Sequence, residues 1–384
     1  MPRRTSRCSH HLLRRGNRRV VAVACASIAL AACGGEGPFG PGSGGAGEIA
    51  SVTAGGFHTC ALTTNGVAYC WGRNFEGQLG DGSTTDRDRP VSVSTDLRFT
   101  SLSAGRAHTC AVATTGEAYC WGRNQDGRLG DGTMTNRNTP SLVTGGRRFT
   151  SITAGLSYSC GLAEDGAAFC WGLNDRAQLG DGTLENRVAP SAVVSGGASF
   201  LAIAAGGVFT CASSDSGDAY CWGLDRTEAG AVSTGLTFQT VTAGYVHACG
   251  PTEGGDAWCW SANTKGQLGD GTVSYRGRPS EVIGGHGFTV VDAGFLHTCG
   301  VAGDGRAYCW GFNQFSQLGD GTASDTSEPL PVVSDETFVT VASGDFHSCG
   351  VTTARQVRCW GLNGFGQLGD GTTADRPIPV AVTR

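Results

Sequence analysis

Three residue types recur at fixed spacing and could do chemistry. His58, His108, His247, His297 and His347 each stand two places before a cysteine, and a ring of imidazoles could bind a metal or shuttle protons. Asp81, Asp131, Asp181, Asp270, Asp320 and Asp370 each precede a glycine and could supply Ca²⁺ ligands. Seven tryptophans, from Trp71 to Trp360, each follow a cysteine and could form a carbohydrate platform. Every one of these has a structural alternative. Tyr158 and Phe209 take the histidine place in two repeats, so the imidazoles are expected to satisfy neighbouring backbone groups. A Ca²⁺ loop needs about six oxygens, and each repeat offers one fixed carboxylate, so the aspartates are expected to cap Gly-flanked turns. The tryptophans alternate with a second aromatic position, which places them in packed interior. No metal or other cofactor is expected, and no local nucleophile and base pair, phosphate loop or H-E-x-x-H motif stands out.

The cysteines set the frame for all three. Of 17, Cys8, Cys25 and Cys33 lie in or at the end of the leader, and the rest form seven pairs: Cys60 and Cys70, Cys110 and Cys120, Cys160 and Cys170, Cys211 and Cys221, Cys249 and Cys259, Cys299 and Cys309, Cys349 and Cys359. Successive pairs start 50, 50, 51, 38, 50 and 50 residues apart, a sevenfold tandem array with one short member. In the first unit Ser51 to Gly55, His58 to Leu62 and Val67 to Trp71 read as strands, with Thr64-Asn65-Gly66 as a hairpin turn. Turn signals recur at Thr115-Gly116, Asp165-Gly166, Ser216-Gly217, Gly254-Gly255 and Asp304-Gly305, while Arg355 breaks the pattern in the last unit. A fourth short strand starts near a proline, as at Pro90-Val91-Ser92-Val93. Four strands per unit predict an all-β, seven-bladed β-propeller of four-stranded antiparallel blades spanning residues 49–384.

Centring the first hairpin on Asn65 sets Cys60 opposite Cys70, Ala61 opposite Tyr69 and Leu62 opposite Ala68. Opposed cysteines at a non-hydrogen-bonded antiparallel site are close enough for a disulfide, so one intrablade bridge per blade is expected. Each would contribute about 2 to 3 kcal/mol without tying one blade to the next. A metal site is the competing use of the cysteines, but no second pair or fixed histidine completes a tetrahedral set. Large side chains face small ones across the hairpin, as expected of a strand pair buried on both faces. Repeated Ala-Gly pairs, such as Ala54-Gly55 and Ala104-Gly105, fit a strand near a crowded axis.

Residues 1–32 read as a secretory signal: a basic stretch from Arg3 to Arg19, then an apolar run from Val20 to Leu30 too short to span a bilayer. Leu30-Ala31-Ala32-Cys33 resembles a bacterial lipobox, so Cys33 is expected to carry the lipid; cleavage after Ala32 with an incidental cysteine is the alternative. Residues 33–48, rich in Gly, Pro, Ser and Ala, form a tether. The net charge of −5 gives no basic field for a nucleic acid.

The unit Ala-Gly-x-x-His-Thr-Cys-Ala-Leu, followed by Tyr-Cys-Trp-Gly-x-Asn-x-x-Gly-Gln-Leu-Gly-Asp-Gly, resembles the regulator of chromosome condensation repeat, over residues 49–384. Copies of Gln-Leu-Gly-Asp-Gly stand at 78–82, 178–182, 267–271, 317–321 and 367–371, with Arg128 in place of Gln in the second unit. The fourth unit lacks the motif, and its divergent stretch from Leu224 to Gly235 predicts a different rim in that sector. The resemblance implies a seven-bladed propeller. It also implies nucleotide exchange on a nuclear GTPase, which an exported chain would not meet. The family includes a secreted bacterial inhibitor of β-lactamases, which implies that the propeller can act purely as a protein-binding face.

The function expected is therefore a non-enzymatic scaffold, anchored in the bacterial envelope at the outer membrane or periplasmic face or displayed at the surface. It is expected to be a monomer that binds an envelope or extracellular protein or a surface polymer. Its contact loops are expected at Ser83 to Arg89, Thr133 to Thr139, Thr183 to Ala189 and Thr272 to Arg278, which differ between copies. The alternatives are a lyase or hydrolase with a site at the axial mouth, and an exchange factor.

Overall fold

A computed structural model describes residues 47–232 and 235–383. The expected signal segment, Cys33 and most of the tether lie outside the described residues. The first blade contains strands Ile49–Ala54, His58–Thr63, Ala68–Gly72 and Arg87–Ser92, hydrogen-bonded in that order and antiparallel throughout. Six further four-stranded sheets follow in the same simple order, so the chain forms seven blades of four strands. The outer strand starts at Arg87 rather than near Pro90, because Gly72 pairs with Arg87 across a register shift. Each innermost strand packs against the next, and the seventh packs against the first, which closes the ring.

The hairpin register is the one that the turn dictates: Cys60 opposes Cys70, Ala61 opposes Tyr69 and Leu62 opposes Ala68. The Gly66 amide bonds Thr63 O at 2.9 Å, and Gly66 takes φ +80° where an L side chain would be strained. All seven cysteine pairs are bridged within their own blades, with Cα separations of 4.0 to 4.1 Å. Such bridges fit an oxidising, exported environment. The size matching extends to the first strand: a Cβ at Gly161 would lie 2.7 Å from the Phe149 ring, and one at Gly350 2.6 Å from that of Phe338.

The first strands line an axial channel of about 390 Å³, to which all seven blades contribute. At its mouth a backbone belt closes the ring. The amide of Gly56 bonds Gly105 O at 3.2 Å, and six equivalent bonds follow, ending with Asp345 N to Gly55 O at 3.2 Å. This belt explains the repeated glycine. A Cβ at Gly105 would sit 2.5 Å from Gly155 O, so any side chain would force neighbouring first strands apart.

Candidate functional site

The histidines form a structural belt. His58 Nε2 lies 2.9 Å from Thr109 Oγ1, His108 2.8 Å from Ser159 Oγ, His247 2.9 Å from Thr298, His297 2.9 Å from Ser348, and His347 2.8 Å from Thr59. The Thr109 hydroxyl is committed as a donor to Gln78 O at 2.8 Å, so the imidazole must be the Nε2–H tautomer that donates to it. The expectation of backbone partners is thus corrected: each ring bonds a side-chain hydroxyl of the following blade, chosen because that hydroxyl is buried and needs a second partner. Tyr158 joins the belt by donating to Phe209 O at 2.6 Å. Burial holds His58, His247, His297 and His347 down to about 3, with the neighbouring His347 adding to the effect at His58, so these rings are neutral at physiological pH. A ring of neutral, fully buried imidazoles on separate blades is not a proton shuttle.

The aspartates cap turns, as expected. Asp81 Oδ1 accepts from the Ser83 amide at 2.9 Å, from the Ser83 hydroxyl at 2.8 Å and from Asn74 Nδ2 at 3.1 Å, and Oδ2 accepts from Arg87 Nε at 3.0 Å. Partial burial works against ionisation, but the Ser83, Arg87 and Asn74 donors outweigh it and hold the carboxyl below its ordinary value. Buried Asn74 completes the turn by accepting the Leu79 amide at 2.9 Å. The tryptophans are interior, and all but Trp260 rest on a glycine of the preceding blade: a Cβ at Gly80 would lie 2.6 Å from Trp121 Nε1. Among the described residues, no group of three His, Cys, Asp or Glu side chains could hold a metal ion.

Two carboxylates line the axial channel. Burial raises Asp292 to about 6, against bonds from the Ser343 amide at 2.6 Å and the Thr242 hydroxyl at 3.0 Å. Burial likewise raises Asp345 to about 6, opposed by Arg106, whose Nε is 3.4 Å away. Asp292 occupies the place where Thr53, Ser103 and Thr153 accept the amide of the next blade's first strand. Its role there is to tie the sixth blade to the seventh.

A site that the repeat pattern did not predict lies at the mouth. In each blade the turn after the first strand and the connection after the third, long in all but the fourth, emerge at one end, because antiparallel strands one and three both finish there. On that upper face the fifth, sixth, seventh and first blades carry one connected cluster of rings. Tyr245 stacks on Phe295 at 4.3 Å, Phe295 meets Phe346 at 5.5 Å, Phe346 meets Phe57 at 5.9 Å, and Phe57 meets Phe365 at 5.4 Å. Phe315 and Phe312 extend it from Phe346 at 5.0 and 6.5 Å. Most of these rings are half-buried, and Phe75 beside Phe365 is 70% exposed. Arg73 lies over Phe57 and Phe365, and Lys265 over Phe312. The remaining blades carry Ala107, Ser157 and Val208 at the place of Phe57, with charged Arg106, Arg123 and Arg176 nearby. The face is therefore an aromatic crescent set against a charged half. The expected contact loops open onto this same face: Thr84, Thr85 and Asp86 are exposed and share a surface groove with Arg73, Phe75 and Phe365, whereas Arg87 to Arg89 already belong to the outer strand.

A search of the curated proteins gave no match. Among solved structures, human WBSCR16 is similar at 18% identity and TM-score 0.72, over 78% of this chain and 85% of that one. The yeast RCC1 (Prp20) structure with bound Kap60 is similar at 22% identity and TM-score 0.69, over 77% and 78%. The ectodomain of the Arabidopsis thaliana receptor kinase ACR4 is similar at 22% and TM-score 0.57, over 86% and 99%. At these identities the likeness is one of fold. Two models of the regulator of chromosome condensation (RCC1) repeat match the sequence itself, one at residues 49–78, 99–128, 149–178, 238–267, 288–317 and 338–367, the other at 65–112, 115–162, 165–213 and 304–351. Together they cover well over half of the chain, with the same period of about fifty residues as most of the blades: the chain belongs to the RCC1 repeat family.

Proposed function

We propose that the chain is an exported, lipid-anchored scaffold that binds another protein through the aromatic crescent of its upper face. The carrying observation is the crescent itself: connected apolar rings at the mouth of a rigid ring, confined to four adjacent blades. Exposed contiguous aromatic surface is unfavourable in water and is retained where a partner covers it. The rings meet at tilts of 43° to 71°, apart from the Tyr245–Phe295 stack, so they form a ridge with few flat faces for sugars. A protein partner is therefore favoured over a surface polymer. A protein partner also agrees with the yeast RCC1 (Prp20) structure, a protein of similar fold that has Kap60 bound. Cross-linked pull-down from intact envelopes tests it: Phe75→Ser with Phe365→Ser should abolish capture of the partner, and undiminished capture would refute the face. The anchor is tested separately by labelled palmitate, which should enter the wild-type chain and not Cys33→Ser.

The raised Asp292 and Asp345 favour a second reading, an axial catalytic site, because two carboxyls that hold protons near neutral pH could serve as acids. Asp345→Asn should leave partner capture intact. Loss of a hydrolytic or lyase activity on envelope polymers in that variant would support the axial reading instead.

A further inference from the structure

Six of the seven seams between blades are built alike, and one is not. At each of the six, the Gln-Leu-Gly-Asp-Gly connection of one blade (Arg128 for Gln in the second) reaches over the next. Its Gln carbonyl accepts a hydroxyl of the next blade, as from Thr109 to Gln78 O at 2.8 Å and from Thr59 to Gln367 O at 2.8 Å. Its leucine is fully buried, and its first glycine lies under the next blade's tryptophan. Its last glycine donates to the next outer strand, as from Gly82 N to Asn138 O at 3.0 Å and from Gly371 N to Asp88 O at 3.0 Å. In five of the six its aspartate pairs with an arginine that opens its own blade's outer strand, as Asp181 does with Arg187 at 2.7 Å, while Thr326 takes the arginine's place in the sixth blade.

Between the fourth and fifth blades every one of these ties is missing among the described residues. The connection shrinks to Leu224 and Asp225, both at positive φ (51° and 72°), and the outer strand begins at once with Arg226. Ala248 replaces the hydroxyl residue and Phe209 replaces the histidine, so the imidazole belt is also interrupted here. What remains among the described residues is two backbone bonds, Gly207 N to Gly244 O at 3.0 Å and Phe238 N to Gly217 O at 2.9 Å, and apolar packing of Phe209, Phe238 and Trp260.

Three groups that the other seams engage, the arginine in five of them, lack those partners here. Trp260 is 4% exposed, where its six counterparts are at 0 to 1%. Gly277 O, in the place of Asn138 O, receives no amide from the described residues of the preceding blade. Arg226 pairs with Gly223 just as Arg87 pairs with Gly72, yet it faces no carboxylate among the described residues. The crescent runs into this seam, since the Tyr245 ring lies directly over Gly207.

We propose that this seam is a docking notch for a partner-protein loop bearing a leucine followed by a Gly-Asp-Gly turn, which supplies from outside the connection that the fourth blade lacks. The loop's leucine and first glycine cover Trp260, its aspartate meets Arg226, and its last amide donates to Gly277 O. Shape complementarity is fixed by the six internal examples and charge complementarity by the five that carry the arginine, and continuity with Tyr245 places the notch at the end of the same face. The inference rests on the scaffold reading and names what the partner presents. A second copy of this chain is not the donor, because its own leucine-glycine connections are buried in their seams.

The test uses the full oxidised chain and a cyclised synthetic peptide of the sequence of residues 263–272, Asn-Thr-Lys-Gly-Gln-Leu-Gly-Asp-Gly-Thr. Saturable binding, read from Trp260 fluorescence or calorimetry, is expected. It should weaken by at least about tenfold on Arg226→Gln or when the peptide's Asp becomes Asn, as a charge-assisted pair requires. A chain in which residues 173–186 are grafted in place of Leu224 and Asp225 should no longer bind and should unfold at higher denaturant. No binding to the wild type, or binding indifferent to Arg226→Gln and to the graft, overturns the proposal. Phe365→Ser should leave peptide binding unchanged. If that variant loses the envelope partner while the graft keeps it, the notch fails and the crescent stands; the reverse outcome removes the crescent.

Discussion

Lowering the pH from about 7.5 to about 5 is the perturbation that loads the imidazole belt. In the native ring His58, His247, His297 and His347 titrate near about 3, against 6.5 for a free imidazole. A depressed histidine is neutral in the native chain while the unfolded chain takes up its proton, so stability falls as the pH drops below 6.5 and continues falling to about 3. At about pH 5 the loss is about 2 kcal/mol per histidine, or about 8 kcal/mol for the four. Asp292 and Asp345 act in the opposite sense. Their native values of about 6 exceed the unfolded 3.8, so the native chain gains protons first and recovers about 1 to 2 kcal/mol each by about pH 5. The net expectation is a loss of about 5 kcal/mol, with His108, also pushed far down by burial, adding in the same direction. Guanidinium unfolding with intact disulfides, followed by tryptophan fluorescence at both pH values, measures it. His347→Gln keeps a donor toward Thr59 and should reduce the acid loss by about 2 kcal/mol. Equal stability at both pH values, or a full acid loss in His347→Gln, would refute the belt as the cause.

Other perturbations probe other parts of the fold. Arg355 holds φ +61° where the first six hairpins have glycine, so Arg355→Gly should raise stability by about 1 kcal/mol in denaturant titration. Gly105→Ala puts a methyl 2.5 Å from Gly155 O and should cost about 1 to 3 kcal/mol, readable as a lower unfolding midpoint. Replacing Cys299 and Cys309 together by serine should cost about 2 to 3 kcal/mol while the other six bridges persist in a peptide map.

The parts of this molecule set by repetition were legible from sequence, and the parts set by departures from it were not. The cross-strand bridge followed from a turn centred on Asn65, because two-residue periodicity leaves no freedom once a turn is placed. The Ala-Gly pairs pointed to the axis for a reason now visible, the backbone belt that passes within contact distance of each glycine. The histidine partners were misjudged, although a signal existed: Phe209 and Ala248 change together, as a donor and acceptor on successive blades must. The aromatic crescent was hidden because its rings come from different places in the unit. Phe57 and Phe346 directly precede the belt histidine, Tyr245 and Phe295 stand one place earlier, and Phe315 and Phe365 follow the buried asparagine by two. Only the ring geometry brings these positions together, and a reading that aligns repeats averages them away. The contact between Arg106 and Asp345 spans the second and seventh blades across the mouth and has no sequence signature at all.

The account stands or falls on which face meets a partner. A photo-cross-linking residue placed at Phe75, on the crescent, and separately at Thr64, in a hairpin at the opposite end, addresses this in living cells. The account predicts a discrete protein adduct from position 75 and none from position 64. Adducts from position 64 alone, or from neither position in cells where the chain is exported and oxidised, would contradict it.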